Sequence, residues 1–396
     1  KTLLEDVKCV IMDEVHFIND PDRGKIWEET LILLDDSVQL ILLSATINRA
    51  QEFGKWLASI KKKTVSLIPT NNRIIPLHHY MYIDDELVSI MDNKDTFYEQ
   101  NYFECKKTYE KIKKDNNNKI DYTVINKLIK FLQKRNLLQA IFFSFSRKKC
   151  EDFTKQIQGS LLDLEDQREV LRVFDYHMRP YLKTYETTPQ YTTIRTLLEK
   201  GVCYHHSGLI PIFKEVVEII FKLGLIKVLF ATETFAVGVN MPTRTIVFTE
   251  LTKTTNTSKR FLNTAEYKQM SGRAGRRGKD TNGTVILLPL YDYPDLLDLK
   301  NVMVKTMPHI DSKFKIDYDY CLKTLKSNKT NIFDRSLLNQ EHINSLQQYH
   351  EDLIKQEELL TKHHFNNYLD KLDDCIKLDK LTNNNSDLGF NIKLSQ

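Results

Sequence analysis

Two stretches of the 396-residue chain carry side chains suited to chemistry on a polyanion. The run Gln269-Met270-Ser271-Gly272-Arg273-Ala274-Gly275-Arg276-Arg277-Gly278 sets three arginines among three glycines. It follows Asn263-Thr264-Ala265-Glu266, an N-cap residue with an acid three places on, which predicts a helix start. On a helix Gln269, Arg273 and Arg276 fall at i, i+4 and i+7 and share one face, while Gly272 and Gly275 let another backbone approach. Guanidinium forks at that spacing suit a phosphate chain. The second stretch is an apolar run from Val7 to Met12 that breaks into Asp13-Glu14-Val15-His16. Such a run predicts a buried parallel strand, whose C-terminal edge is where open α/β sheets bind ligands. There Asp13 would hold Mg²⁺ and Glu14 would orient and deprotonate an attacking water, which is the chemistry of nucleotide hydrolysis.

The elements that must position these groups alternate in type. Residues 26–34 have helical spacing, and residues 39–43 form a second strand-like run ending in Ser44-Ala45-Thr46, followed by a helix with Phe53 and Trp56 in its core. Residues 84–121 loosen into a lysine-, tyrosine- and asparagine-rich connector. A second series then runs strand to helix repeatedly. Residues 139–143 lead into Ser144-Phe145-Ser146-Arg147, and residues 202–204 into His205-His206-Ser207-Gly208. Residues 226–231 lead into Thr232 and on to Gly238 and Asn240, and residues 245–248 precede the arginine run. This alternation predicts parallel sheets in an α/β fold, with small polar residues at every strand tip. His205 and His206 do not suggest a metal site, because neighbours on a strand face opposite ways and no cysteine or acid pair stands at ligand spacing.

With 41% apolar and 28% charged residues the chain can bury two or three cores. A net charge of +4 permits a nucleic-acid partner without demanding one. The six cysteines are scattered, which implies reduced structural thiols. No apolar run approaches the roughly 20 residues of a membrane helix, and no signal segment opens the chain. The first residue is lysine with a strand pattern already under way by Val7, so an internal fragment is expected. The expected divisions are residues 1–83, part of a first lobe; 84–134, a connector; 135–291, a second lobe; 292–339 and 340–396, the C-terminal regions.

Six segments in order, MDEVHFINDPDRGKIWEE, LLSATI, FFSFSRKKCE, HHSGLIPIFKE, ATETFAVGVNMPTRTIVF and EYKQMSGRAGRRG, resemble the later motifs of the superfamily II DExH-box helicases, most closely the Ski-type (superkiller) exosome-associated RNA helicases. The resemblance spans roughly residues 7–340. It implies tandem RecA-like parallel-sheet lobes, the first one partial, then a winged-helix region and a helical stalk beginning in residues 340–381. It implies ATP and Mg²⁺ as cofactors. Asp13, Glu14 and His16 would form the DEVH box, with Asp13 on the metal, and Ser44 and Thr46 would couple the nucleotide to strand movement. Gln269, Arg273 and Arg276 would face the triphosphate from the second lobe, with Gly238 nearby. Ser144, Arg147, His206, Ser207, Gly208, Thr232 and Asn240 would lie along the nucleic-acid backbone or at the lobe interface, giving sequence-independent contact. The threonine-rich stretch between Phe248 and Asn263 would be a strand-separating hairpin. The implied partners are single-stranded or partly duplex RNA and an RNA-exosome-type complex, acting on an intracellular, nuclear or cytoplasmic, monomeric motor with no membrane.

One departure stands out. No GxxxxGK[ST] phosphate loop occurs in the chain. This fragment alone is therefore expected to have negligible ATPase activity. A DNA translocase of the same superfamily and a catalytically silent RNA-binding scaffold remain as alternatives.

Overall fold

The computed structural model describes residues 6–20, 23–44, 48–69, 73–115, 122–238, 241–254, 258–304, 310–318, 320–322, 333–362 and 371–372. The chain divides into two compact units, one of Lys1–Ser44, Arg49–Leu67 and Ile310–Gln396, the other of Ala45–Asn48 and Ile68–His309.

In the first unit β1 (Cys9–Met12) pairs in parallel with β2 (Gln39–Leu42), Cys9 opposite Gln39. The connection is the helix Gly24–Leu33, and the helix Ala50–Lys61 follows, burying Phe53, Trp56, Leu57 and Ile60. Residues from 310 onward complete this unit. Ser312 Oγ donates to Glu28 Oε2 at 2.7 Å, the Leu337 N–H donates to Glu28 Oε1 at 2.7 Å, and Trp56 Nε1 donates to the Arg335 carbonyl at 3.0 Å. Burial raises the Glu28 pKa, and these two donors offset part of that cost. A long polar helix, Leu337–Lys362, then begins where the stalk is expected. The rest of the expected stalk lies outside the described residues apart from 371–372.

The second unit is built on a seven-stranded sheet of order β4-β3-β11-β8-β5-β7-β6. Its members are β3 (Leu77–Ile83), β4 (Glu86–Met91), β5 (Ala140–Phe143), β6 (Val202–His205), β7 (Val228–Ala231), β8 (Thr245–Phe248) and β11 (Gly283–Leu287). All pairings are parallel except β3 with β4. Every residue of β5, β6, β7, β8 and β11 is buried, which explains why these strands read as unbroken apolar runs rather than alternating ones. This is the α/β architecture of a RecA-like lobe.

The expected boundaries shift at both ends of this unit. The division at residue 83 cuts the β3–β4 hairpin, whose first strand pairs with β11 from Leu77 opposite Gly283. The expected connector contributes the helix Glu99–Asp115, which buries Tyr102 and Cys105; Tyr102 donates to the Pro294 carbonyl at 2.9 Å and accepts, through its own carbonyl, from Tyr293 at 2.8 Å. The helix Leu296–Met303, expected to open the winged-helix region, buries Leu299, Val302 and Met303 in this same core. Lysine-rich composition described the exposed face of the connector and concealed the few side chains that anchor it.

One buried histidine makes this unit pH-sensitive. His79 on β3 is 4% exposed, and its Nδ1 lies 2.7 Å from the Tyr267 hydroxyl. Burial, with His78 and Arg73 adding to it, lowers the His79 pKa to about 3. An unfolded histidine binds its proton near pH 6.5 and the folded one does not, so this contribution is complete above pH 6.5 and is lost as pH falls toward about 3. Denaturation at pH 7 and pH 5 should show His79→Phe losing less stability than the wild type, by up to about 1.4 kcal/mol per pH unit. Equal losses would show that His79 is protonated in the fold.

Candidate functional site

In the first unit the acidic tetrad sits where β1 ends. The Leu43 N–H donates to the Met12 carbonyl at 2.9 Å and the Val15 N–H to the Leu43 carbonyl at 3.0 Å, which continues the ladder past the strands. Glu14 adopts φ 56°, ψ 46°, a left-handed conformation that costs a non-glycine residue on the order of 1 kcal/mol. It is held by its N–H donating to Asp13 Oδ1 at 2.9 Å and by the 3₁₀ helix Val15–Asn19, anchored through buried Val15 and Ile18. His16 Nδ1 lies 3.3 Å from both Ser44 Oγ and Glu14 Oε2. Glu14 Oε2 is shut off from solvent and has no hydrogen-bond partner among the described residues; the His16 ring lies 3.3 Å from it as an ion-pair contact. Two adjacent carboxylates, Asp13 exposed and Glu14 half-buried with one oxygen lacking a hydrogen-bond partner among the described residues, fit a bound cation and a water beside it. Thr46 lies outside the described residues.

In the second unit the predicted capping box forms. Asn263 Oδ1 accepts from the Glu266 N–H at 2.8 Å, and the Asn263 N–H donates to Glu266 Oε2 at 2.9 Å. Burial works against the Glu266 carboxylate, but Arg260, Lys253 and the Asn263 N–H outweigh it and hold the pKa at about 2. The helix, however, ends at Ser271 with Gly272 as its cap, so Gln269, Arg273 and Arg276 do not share one helical face as their spacing suggests. Tertiary pairing stops it. The Thr243 N–H donates to the Arg273 carbonyl at 2.9 Å and the Gly275 N–H to the Thr243 carbonyl at 2.7 Å, which pulls the chain into a bridge beside β8. Gly275 turns at φ 88°, and a Cβ there would stand 2.3 Å from Ile75 Cγ2 and 3.2 Å from Gly283 Cα. The close backbone approach expected of this glycine is real.

Two residues that the sequence did not mark out secure this turn. Arg73 donates through Nη2 to the carbonyls of Gly272 at 2.7 Å and Ala274 at 2.9 Å, and through Nε to Ile75 at 2.8 Å. Asp280 accepts from Arg276 Nε at 2.8 Å, Nη2 at 3.1 Å and N–H at 2.9 Å, with Arg244 Nε at 3.5 Å. Burial opposes the Asp280 charge, yet the Arg276 bonds hold its pKa below the usual carboxylate value. Gln269 Nε2 is buried with no hydrogen-bond partner among the described residues. The i, i+4 spacing of Arg276 and Asp280 was a legible signal; the Arg73 contact had none.

The strand tips carry a second surface. Ser144, after β5, is fully buried, with its hydroxyl 3.3 Å from Glu250 Oε1; Lys149 Nζ reaches Glu250 Oε2 at 2.8 Å. Arg147 opens the following helix and is exposed. His205 and His206 turn to different carboxylates, His205 Nε2 lying 2.9 Å from Glu218 and His206 Nε2 3.1 Å from Glu151, while His206 Nδ1 accepts from the Gly208 N–H at 3.1 Å. Burial lowers both imidazole pKa values, with the two glutamates partly offsetting it. His206 is 1% exposed, whereas Ser207 and Gly208 are exposed and Thr232 is half-buried. Ser144 and His206 thus shape the surface from behind, and the other four can touch a strand. Gly238 ends the helix Glu233–Gly238, and Asn240 lies outside the described residues. The threonine-rich stretch forms an antiparallel hairpin of β9 (Thr252–Thr254) and β10 (Lys259–Phe261). Among the described residues no helix is long and apolar enough to cross a membrane.

Residues 1–53 match the family described as DEAD/DEAH box helicase, and residues 181–278 the helicase conserved C-terminal domain. The chain is 37% identical over 354 residues to Superkiller complex protein 2 of Homo sapiens, covering 84% of this chain and 28% of that protein. It is 36% identical over 346 residues to ATP-dependent RNA helicase mtr4 of Schizosaccharomyces pombe (82% and 31%). Antiviral helicase SKI2 of Saccharomyces cerevisiae is 32% identical over 422 residues (91% and 33%). The chain spans about a third of the length of these relatives.

Proposed function

Because this chain belongs to the Ski-type DExH-box RNA helicases, we propose that it forms part of an ATP-driven motor that moves 3′ to 5′ along single-stranded RNA and unwinds duplexes ahead of it. The observation that carries the reading is that two of the buried polar atoms left without hydrogen-bond partners among the described residues, Glu14 Oε2 and Gln269 Nε2, lie within segments that the resemblance assigns to the nucleotide. Glu14 orients the attacking water and takes its proton, held in place by its strained backbone and by His16. Asp13 would hold Mg²⁺, which when bound neutralises phosphate charge. Gln269, Arg273 and Arg276 bind the phosphates, the arginines favouring the charge that develops on the transferred group. Ser44, through His16, links this acid to the neighbouring strand tip. Arg147, Ser207, Gly208 and Thr232 contact the RNA backbone, which gives tracking without base readout. The β9–β10 hairpin parts the strands. The partner is an RNA-degrading complex of the exosome type, and the setting is intracellular.

The test is ATP hydrolysis and unwinding by the full-length protein on RNA duplexes with 3′ or 5′ tails. Hydrolysis stimulated by RNA, and opening of the 3′-tailed duplex only, are expected. Equal unwinding of DNA would favour a DNA translocase, and RNA binding without hydrolysis a silent scaffold. Arg147→Glu should weaken single-stranded RNA binding about tenfold, since it replaces one phosphate contact with a repulsion, and titration of a labelled RNA would show it.

A further inference from the structure

We propose that Asp280 is a positioning residue for the reaction, fixing the plane of the Arg276 guanidinium so that its free edge meets the phosphates. The inference rests on Arg276 acting on the nucleotide as above. Asp280 is 8% exposed and grips Arg276 side-on, taking Nε and one Nη2 hydrogen while also accepting the Arg276 backbone N–H. A side-on fork of this kind fixes rotation about the last side-chain bonds, which a single hydrogen bond would leave free. It also leaves three of the five guanidinium N–H groups for another acceptor, and among the described residues none takes them. Arg244 Nε at 3.5 Å adds a second cation against the one carboxylate, so the cluster keeps a net positive charge toward an anion. The backbone beneath is equally constrained, by Arg73 on the Gly272 and Ala274 carbonyls and by Gly275 against Ile75. An arginine held this way reaches the reacting group without reorganising, which is where electrostatic catalysis gains most.

Charge and orientation make opposite demands, and the experiment separates them. Asp280→Asn removes a negative charge, which by itself would strengthen attraction for ATP, but it sets amide hydrogens against the Arg276 donors and breaks the fork. In RNA-stimulated hydrolysis by the full-length protein, kcat should fall about tenfold with KM for ATP unchanged or lower, the signature of an interaction made in the transition state. Asp280→Glu keeps the charge, and with it the pairing that stabilises the fold, but displaces the fork; it should lower kcat by a smaller factor. In an Arg276→Ala background neither substitution should slow the enzyme further, because the group being positioned is gone. Wild-type kcat in both Asp280 variants, or losses that multiply with that of Arg276→Ala, would overturn the role of Asp280. Arg276→Ala hydrolysing at the wild-type rate would instead overturn the reading of the site.

Discussion

Replacing Glu14 with glutamine in the full-length protein should lower RNA-stimulated ATP hydrolysis by about a hundredfold to ten-thousandfold, the range a positioned general base supplies, with RNA affinity preserved. Glutamine has the same shape and can keep the left-handed turn, the neighbouring Asp13 contact and the packing of Val15 and Ile18, so the fold is not the variable. What it lacks is an atom that accepts a proton from water. The residues proposed to contact RNA, Arg147, Ser207, Gly208 and Thr232, are unchanged in this variant, so binding should be untouched. Steady-state hydrolysis beside fluorescence titration of a short RNA would decide it. Hydrolysis within a few-fold of wild type would mean that the proton goes elsewhere.

The second large effect is expected at Gly275. Its φ of 88° disfavours any L-residue, and a Cβ would meet Ile75 Cγ2 at 2.3 Å with Gly283 Cα behind it at 3.2 Å. Neither neighbour can yield easily, since Ile75 precedes β3 and Gly283 opens β11, two strands paired in the same sheet. Gly275→Val adds β-branching to both problems and should cost about 3 kcal/mol or more, lowering the thermal midpoint by several degrees. Because Arg276 is the next residue, the change should also remove most hydrolysis. Gly159→Ala is the control. Gly159 has φ 76° but no atom within 4 Å of the position a Cβ would take, so only the backbone penalty of about 1 kcal/mol applies. Equal effects of the two substitutions would show that the contact with Ile75 is not what sets the cost.

Much of the fold was legible because the chain states it locally. Apolar runs broken by small polar residues marked β1, β2, β5, β6, β7 and β8; the last four are buried on both faces and need no alternation, whereas β1 and β2, expected to be buried, alternate exposed and half-buried residues, with Ile11 64% exposed. The Asn263 and Glu266 box likewise lies within four residues and formed as read. The same local signals placed Asp13 and Glu14 at a strand tip and marked the start of the helix that leads into the arginine run.

The tertiary structure alone decided what depends on partners far along the chain. The β3–β4 hairpin joined the second unit because β11, some 200 residues on, offers it a parallel partner; no local pattern states which sheet a strand will join. The arginine helix stopped at Ser271 because Thr243 and Arg73 draw the following backbone aside, overriding a spacing that favoured continuation. The resemblance put Ser144 and His206 along the nucleic-acid backbone, but both are buried, within 3.3 Å of Glu250 and 3.1 Å of Glu151 respectively. Residue types and short spacings set by themselves which chemistry this protein carries. Which of those side chains are aimed, which are covered and which are held by a counter-ion follows from long-range packing, where burial and hydrogen bonding outweigh local propensity.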